Sequence, residues 1–171
     1  MDNLRIWHAS RDPYHCAFRY LRLLLAETGS IEIERLRILD MFLLYPSLLH
    51  RTSMPKDVKD SFRKLGIEKP EDIFMRLPSP ASVFQDLRVY QNSAIAHLAA
   101  RGLITAENLK RGAAKISQVN IPATLLGKAM AKNQDDGGLT AFLVGQFSTI
   151  PLRGSDSIYR KAGLPTRAIA A

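Results

Sequence analysis

The run Leu98-Ala-Ala-Arg-Gly-Leu-Ile104 narrows what this chain can fold into more than any other segment. It reads as a helix that ends at a glycine and turns at once into a strand. A chain that reverses directly after a helix needs a residue at ease in the left-handed region. Gly102, which has no Cβ, adopts that conformation at no steric cost. Leu103 and Ile104 are then placed to return to the core. A second run of alternating character, Ala-Lys-Ile-Ser-Gln-Val-Asn over 114–120, follows across the basic loop Asn-Leu-Lys-Arg-Gly over 108–112. Helix, Gly-Leu-Ile, basic loop and strand predict a mainly α fold: a winged helix-turn-helix with a small β-hairpin wing and extra helices. Domains of that shape bind nucleic acid or protein and seldom perform chemistry.

The other helices follow from punctuation and period. Asp12-Pro13 is a helix start, with Asp12 as N-cap and Pro13 at the first helical position. The helix runs to about Glu27, with Ala17, Tyr20, Leu21, Leu24 and Leu25 on its buried stripe and Arg19 and Arg22 on its wet side. Residues 33–45 are apolar nearly all round, which predicts a central helix buried on several sides; Pro46 stops it. Short helices are expected over 54–65 and 70–77. Pro78-Ser79-Pro80 is a break, and a longer helix runs over 81–101 with a bend near Tyr90-Gln91-Asn92. Further helices are expected over 122–132 and 139–147. Residues 1–148 are thus expected to form one winged-helix-like domain. Beyond it, 149–171 are rich in Gly, Pro, Ser and Arg and carry Arg153, Arg160, Lys161 and Arg167 against Asp156; they read as an extended or flexible tail.

Composition excludes several classes. Lys and Arg number 24 against 16 Asp and Glu, for a net charge of +8. That permits nucleic acid, an acidic protein or an anionic membrane without choosing among them. Cys16 is the only cysteine, so no internal disulfide forms, and a reducing, cytoplasmic setting is expected. No apolar run approaches the length of a membrane span, about 20 residues, and Met1-Asp2-Asn3 does not begin like a signal peptide.

Candidate chemistry is sparse. His8, His15, His50 and His97 fall in no metal-ligand spacing. Neighbouring His15 and Cys16 point about 100° apart on a helix, which argues against a Cys-His pair. Gly137-Gly138 lacks the strand and lysine of a phosphate loop, and Asp135-Asp136 reads as a solvated turn. No metal or cofactor is expected. Asp40 stands out because it lies in the most apolar helix. An ion pair with Arg37, one turn earlier, is its structural reading; a pair to another helix or subunit is the sharper one. The candidate recognition helix offers Gln91, Asn92 and His97, with Arg101 as its fixed charge, and the wing adds Lys110, Arg111 and Lys115. Phosphate contacts supply most of the affinity of a DNA-binding protein, so this footprint is thin. Lys56, Lys59, Arg63 and Lys64 are interleaved with Asp57 and Asp60 and read as a solvated face. Weak or indirect DNA contact is compatible with this pattern; autonomous sequence reading is not expected.

The segment Glu34-Arg-Leu-Arg-Ile-Leu-Asp-Met-Phe-Leu-Leu-Tyr-Pro46 resembles the arginine-leucine-rich helix of the middle component of ABC-three-component systems. Leu77-Pro-Ser-Pro-Ala-Ser-Val-Phe and Ala94-Ile-Ala-His-Leu-Ala-Ala-Arg-Gly-Leu-Ile104 are similar to the same family's pattern. The resemblance spans about 12–125 and rests on helix patterns, not on catalytic signatures. It implies a non-enzymatic adaptor bridging an SMC-like ABC ATPase and a nuclease-like effector subunit, in Lamassu-type bacterial defence against phage or plasmids. On that reading Arg37, Asp40, Gln91, Arg101, Lys110, Arg111 and Lys115 are the candidate partner or nucleic-acid contacts, and residues 33–45 offer apolar surface to a partner. The alternative from the residues alone is a winged-helix transcription regulator, which would act as a homodimer on paired half-sites.

Overall fold

A computed structural model describes residues 8–69 and 78–166; the helix expected over 70–77 lies outside them. Asp12 caps α1 (Pro13–Ala26), its carboxylate accepting from the N–H groups of Tyr14 and His15 at 2.8 and 3.4 Å. A two-residue strand β1 (Ile31–Glu32) leads directly into α2 (Ile33–Leu44). A 3-10 turn over Pro46–Arg51 and the short α3 (Lys56–Arg63) follow. Ser79 caps α4 (Pro80–Ala100), accepting from the Ser82 N–H at 3.1 Å, and α4 runs as one continuous helix through 90–92. After it come α5 (Ala106–Lys110), β2 (Ala113–Ala114), α6 (Ala123–Gln134), α7 (Leu139–Val144) and α8 (Ile158–Lys161).

Among the described residues the fold is mainly helical with one two-stranded antiparallel sheet, β1 against β2, in the register Ile31–Ala114 and Glu32–Ala113. Leu103–Thr105 and Lys115–Ser117 also lie antiparallel, bridged at Ile104 and Ile116. There the Thr105 N–H donates to Lys115 O at 3.1 Å and the Ser117 N–H to Leu103 O at 2.8 Å. The basic loop expected between them is partly helical, because α5 occupies it through Lys110. The run expected as a strand to Asn120 turns into a 3-10 helix over Gln118–Asn120. Gly102 does what its position demands. At φ +66° it reverses the chain, and Leu103 and Ile104 are buried just beyond it.

The core lies between α1, α2 and α4, with α7 closing a further side. Leu36, Ile38, Leu39, Met41 and Phe42 of α2 are wholly out of water. Phe42 meets Phe147 edge to face at 5.1 Å, and Phe62 and Phe142 extend this aromatic cluster to α3 and α7. The apolar surface of 33–45 is therefore occupied inside the molecule and is not left for a partner. Arg19 and Arg22, expected on the wet side of α1, are each only 6% exposed, because α2, α6 and α7 cover that side and bring them partners.

Residues 149–166 also depart from the expected tail. Ile150, Leu152, Ile158, Ala162 and Leu164 are buried. Arg35 holds Ile150 O at 3.0 Å, the Ser53 N–H donates to Lys161 O at 2.8 Å, and Tyr159 packs edge to face on Phe84 at 6.1 Å. The apolar residues here follow neither helix nor strand period, so the segment looks like a tail in sequence while anchoring one side chain at a time.

Candidate protein-interaction site

Asp40 of α2 lies at the centre of the polar interior and has no exposure. Arg19 of α1, not Arg37, is its ion partner. Arg19 Nε donates to Oδ1 at 2.6 Å and the terminal nitrogen Nη2 to Oδ2 at 3.3 Å. Gln91 of α4 donates through Nε2 to Asp40 Oδ2 at 2.9 Å and to the Arg37 carbonyl at 3.1 Å. Cys16 Sγ adds a weak bond to Oδ2 at 3.6 Å. One buried carboxylate thus ties three helices together, which is the condition under which a charge tolerates burial. Burial works against the Arg19 charge, but the neighbouring carboxylate outweighs it and holds the guanidinium above its ordinary value. Burial first, and then Asp40, pushes the Cys16 thiol and the Tyr20 phenol upward, so both stay neutral.

A second node fastens the later helices to α1. Arg22 donates through Nε to Asn133 Oδ1 at 2.8 Å and through Nη2 to Asp136 Oδ2 at 2.7 Å and Thr140 Oγ1 at 3.1 Å. Asn133 Nδ2 returns a bond to Arg22 O at 3.0 Å. The acid Asp136 is therefore not a solvated turn residue: it also accepts from the Gly138 and Thr140 N–H groups at 3.1 and 3.0 Å.

Beside the first node is a cleft of about 250 Å³ between α2, α4 and the C-terminal segment, lined among others by Glu34, Arg37, Phe84, Arg88, Gln91 and Tyr159. Two of its lining residues carry buried polar atoms without a hydrogen-bond partner among the described residues, Arg37 Nε and Gln91 Oε1. Arg37 donates from a terminal nitrogen to Asn92 Oδ1. A larger cleft, about 620 Å³, opens between the N-terminal segment and α4, with His8, Arg11, Tyr45, Asp86 and Tyr90 in its wall.

The residues singled out from sequence fall into two groups. Arg37, Asp40 and Gln91 come together around the first node; Asp40 and Gln91 are wholly buried, and Arg37 and Gln91 border the cleft. Arg101, Lys110, Arg111 and Lys115 are exposed and form no bond to that node; Arg111 pairs with Glu107, one turn away on α5, at 2.8 Å. Sequence reasoning missed Arg19, Arg22 and Arg88. Two arginines set in a helix as apolar as α1, with an acid in the apolar middle of α2, are a signal for buried pairing. Nothing in the local pattern marks Arg88. Among the described residues, no cluster of three or more His, Cys, Asp or Glu side chains gathers as a metal site, and no helix is long and apolar enough to cross a membrane.

Fold and interior define a mainly helical protein whose buried charges fasten helices to one another and which, among the described residues, has two unsatisfied polar atoms at one cleft. The sequence profile of the family described as ABC-three component (ABC-3C) system Middle Component 5 matches residues 5–167, nearly the whole chain. The chain belongs to that family. No curated protein and no solved structure matches it.

Proposed function

We propose that this chain is a non-catalytic adaptor subunit that bridges an SMC-like ABC ATPase and a nuclease-like effector in an anti-phage or anti-plasmid defence complex. The observation that carries the reading is the family match over residues 5–167, since a middle component implies partner components. The interior supports it. Asp40, Arg19, Arg22 and Asp136 are engaged in holding helices together, a use of charge that suits a scaffold. The chain is read further as a winged helix: the order β1, α2, α4, the extended residues 103–105 and β2 supports that reading, with α5 in the place of the wing loop.

A DNA-reading regulator is less well supported. Base readout needs free Asn, Gln or Arg groups on the helix that enters the groove. On α4, Gln91 is buried and Asn92 accepts from Arg37. Co-expression with the other two components of the system tests the adaptor reading. A tagged ATPase is expected to recover the effector only when this chain is present. Recovery of the effector without it, or a chain that purifies alone and captures neither component, overturns the reading.

A further inference from the structure

The cleft beside Asp40 is small. Pockets for drug-sized ligands usually span about 300–1,000 Å³, and one of about 250 Å³ suits one or two side chains of a protein instead. Its lining sets two guanidinium groups, Arg37 and Arg88, against one carboxylate, Glu34. Glu34 is met by Arg153 at 3.8 Å, a guanidinium it shares with Glu32 at 3.4 Å, whereas Arg37 is bonded to the neutral Asn92. Arg88 is exposed and has no hydrogen bond or ion pair among the described residues. Two guanidinium groups therefore border the cleft without a carboxylate of their own.

The unsatisfied atoms refine the chemistry. Among the described residues, Arg37 Nε is a buried donor lacking an acceptor, and Gln91 Oε1 is a buried acceptor lacking a donor. The Gln91 amide cannot profitably reverse, because Nε2 already donates to two acceptors, Asp40 Oδ2 and Arg37 O. Leaving such groups unpaired costs about 1–3 kcal/mol each, so the site favours an occupant that answers both. Inorganic phosphate at neutral pH keeps one or two P–OH donors but is mostly charged oxygen, and it has no apolar stem to lie on Phe84 and Tyr159. An acidic residue of a peptide offers a carboxylate for the guanidinium groups and an amide N–H beside it. Phe84 and Tyr159, edge to face at 6.1 Å, form an apolar wall for its stem.

We propose that this cleft docks an acidic side chain of a protein partner, its carboxylate received by Arg37 and Arg88 while an N–H of the same segment donates to Gln91 Oε1. The inference rests on the adaptor reading and locates one of its anchors.

The test uses the full chain, labelled for NMR, and three probes: N-acetyl-glutamate N′-methylamide, the matching glutamine derivative and inorganic phosphate. The glutamate probe is expected to shift the Arg37 Nε–H and Gln91 side-chain amide resonances saturably, and the other two more weakly. Arg88→Glu is expected to abolish the glutamate response without moving the melting temperature. In the assembled system it is expected to weaken capture of a partner component by roughly tenfold, as loss of an interface anchor does. Three results overturn the proposal: no saturable shift, an unchanged response in Arg88→Glu, or tighter binding of phosphate. If the probes fail while the components still assemble through this chain, the cleft assignment falls and the adaptor reading stands. If assembly itself fails, the adaptor reading falls.

Discussion

Asp40 and Arg19 form a pair whose members cannot be separated cheaply. Each is almost wholly out of water, and Arg19 donates two N–H groups to the two oxygens of the Asp40 carboxylate. Removing one leaves its partner charged and buried, which costs about 3–5 kcal/mol. Asp40→Ala is therefore expected to lower the free energy of unfolding by that amount in urea titrations. The double variant Arg19→Met with Asp40→Leu removes both charges and is expected to lose less than either single change. Tyr20 gives the opposite case, because its buried hydroxyl has no hydrogen-bond partner among the described residues. Tyr20→Phe is expected to match or exceed the parent in stability at pH 7. The same residue makes a pH prediction. Its phenol, like the Cys16 thiol, is raised in the folded state above ordinary values of 10.0 and 9.0. The unfolded chain thus releases these protons first. Their contribution is complete below about pH 9 and is lost as pH rises through and beyond that range. Melting temperatures measured from pH 7 to pH 11 should decline above pH 9, less steeply in Tyr20→Phe.

At the scale of elements, Gly102 is the hinge between α4 and the returning strand. A Cβ there would meet Asn120 Nδ2 at 3.3 Å in a backbone with φ +66°, and an L side chain in that region costs about 1–2 kcal/mol. Gly102→Ala should show that loss in thermal or urea unfolding, and a neutral result would mean the turn is not held as described. This hinge was legible in the sequence because one glycine followed a helical period and preceded two core residues. The long helices were legible for the same reason. β1 and α5 were not: two and five residues are too few to display a period. Half of the polar node was legible too. Asp40 announced itself as an acid among Leu, Ile, Met and Phe, but its partner lies 21 residues away on another helix. A pairing at that distance leaves no spacing to read, so the nearby Arg37 looked like the natural partner.

For the molecule as a whole, the question is whether residues 149–166 hang from the core or complete it. Composition argued for a tail, because Gly, Pro, Ser and Arg dominate and no period appears. Burial decides otherwise. Ile150, Leu152, Ile158 and Leu164 are all buried, and Leu152 and Leu164, the most exposed of them, are only 5% and 6% exposed. Fully burying an aliphatic side chain is worth about 1.5–3 kcal/mol, so the four together contribute about 6–12 kcal/mol. Whole domains are stable by only about 5–15 kcal/mol. A chain ending at residue 148 would also lose the bonds from Arg35 and Ser53 and would expose the faces of α2 and α4 that the segment covers. Such a truncated chain is expected to be insoluble, or to lack a cooperative unfolding transition by circular dichroism. Single Leu152→Ala and Ile158→Ala variants should each lose about 2–5 kcal/mol in urea. A dispensable tail predicts instead a truncated protein with the parent's melting temperature and near-neutral alanine variants, so one set of melting curves separates the two pictures.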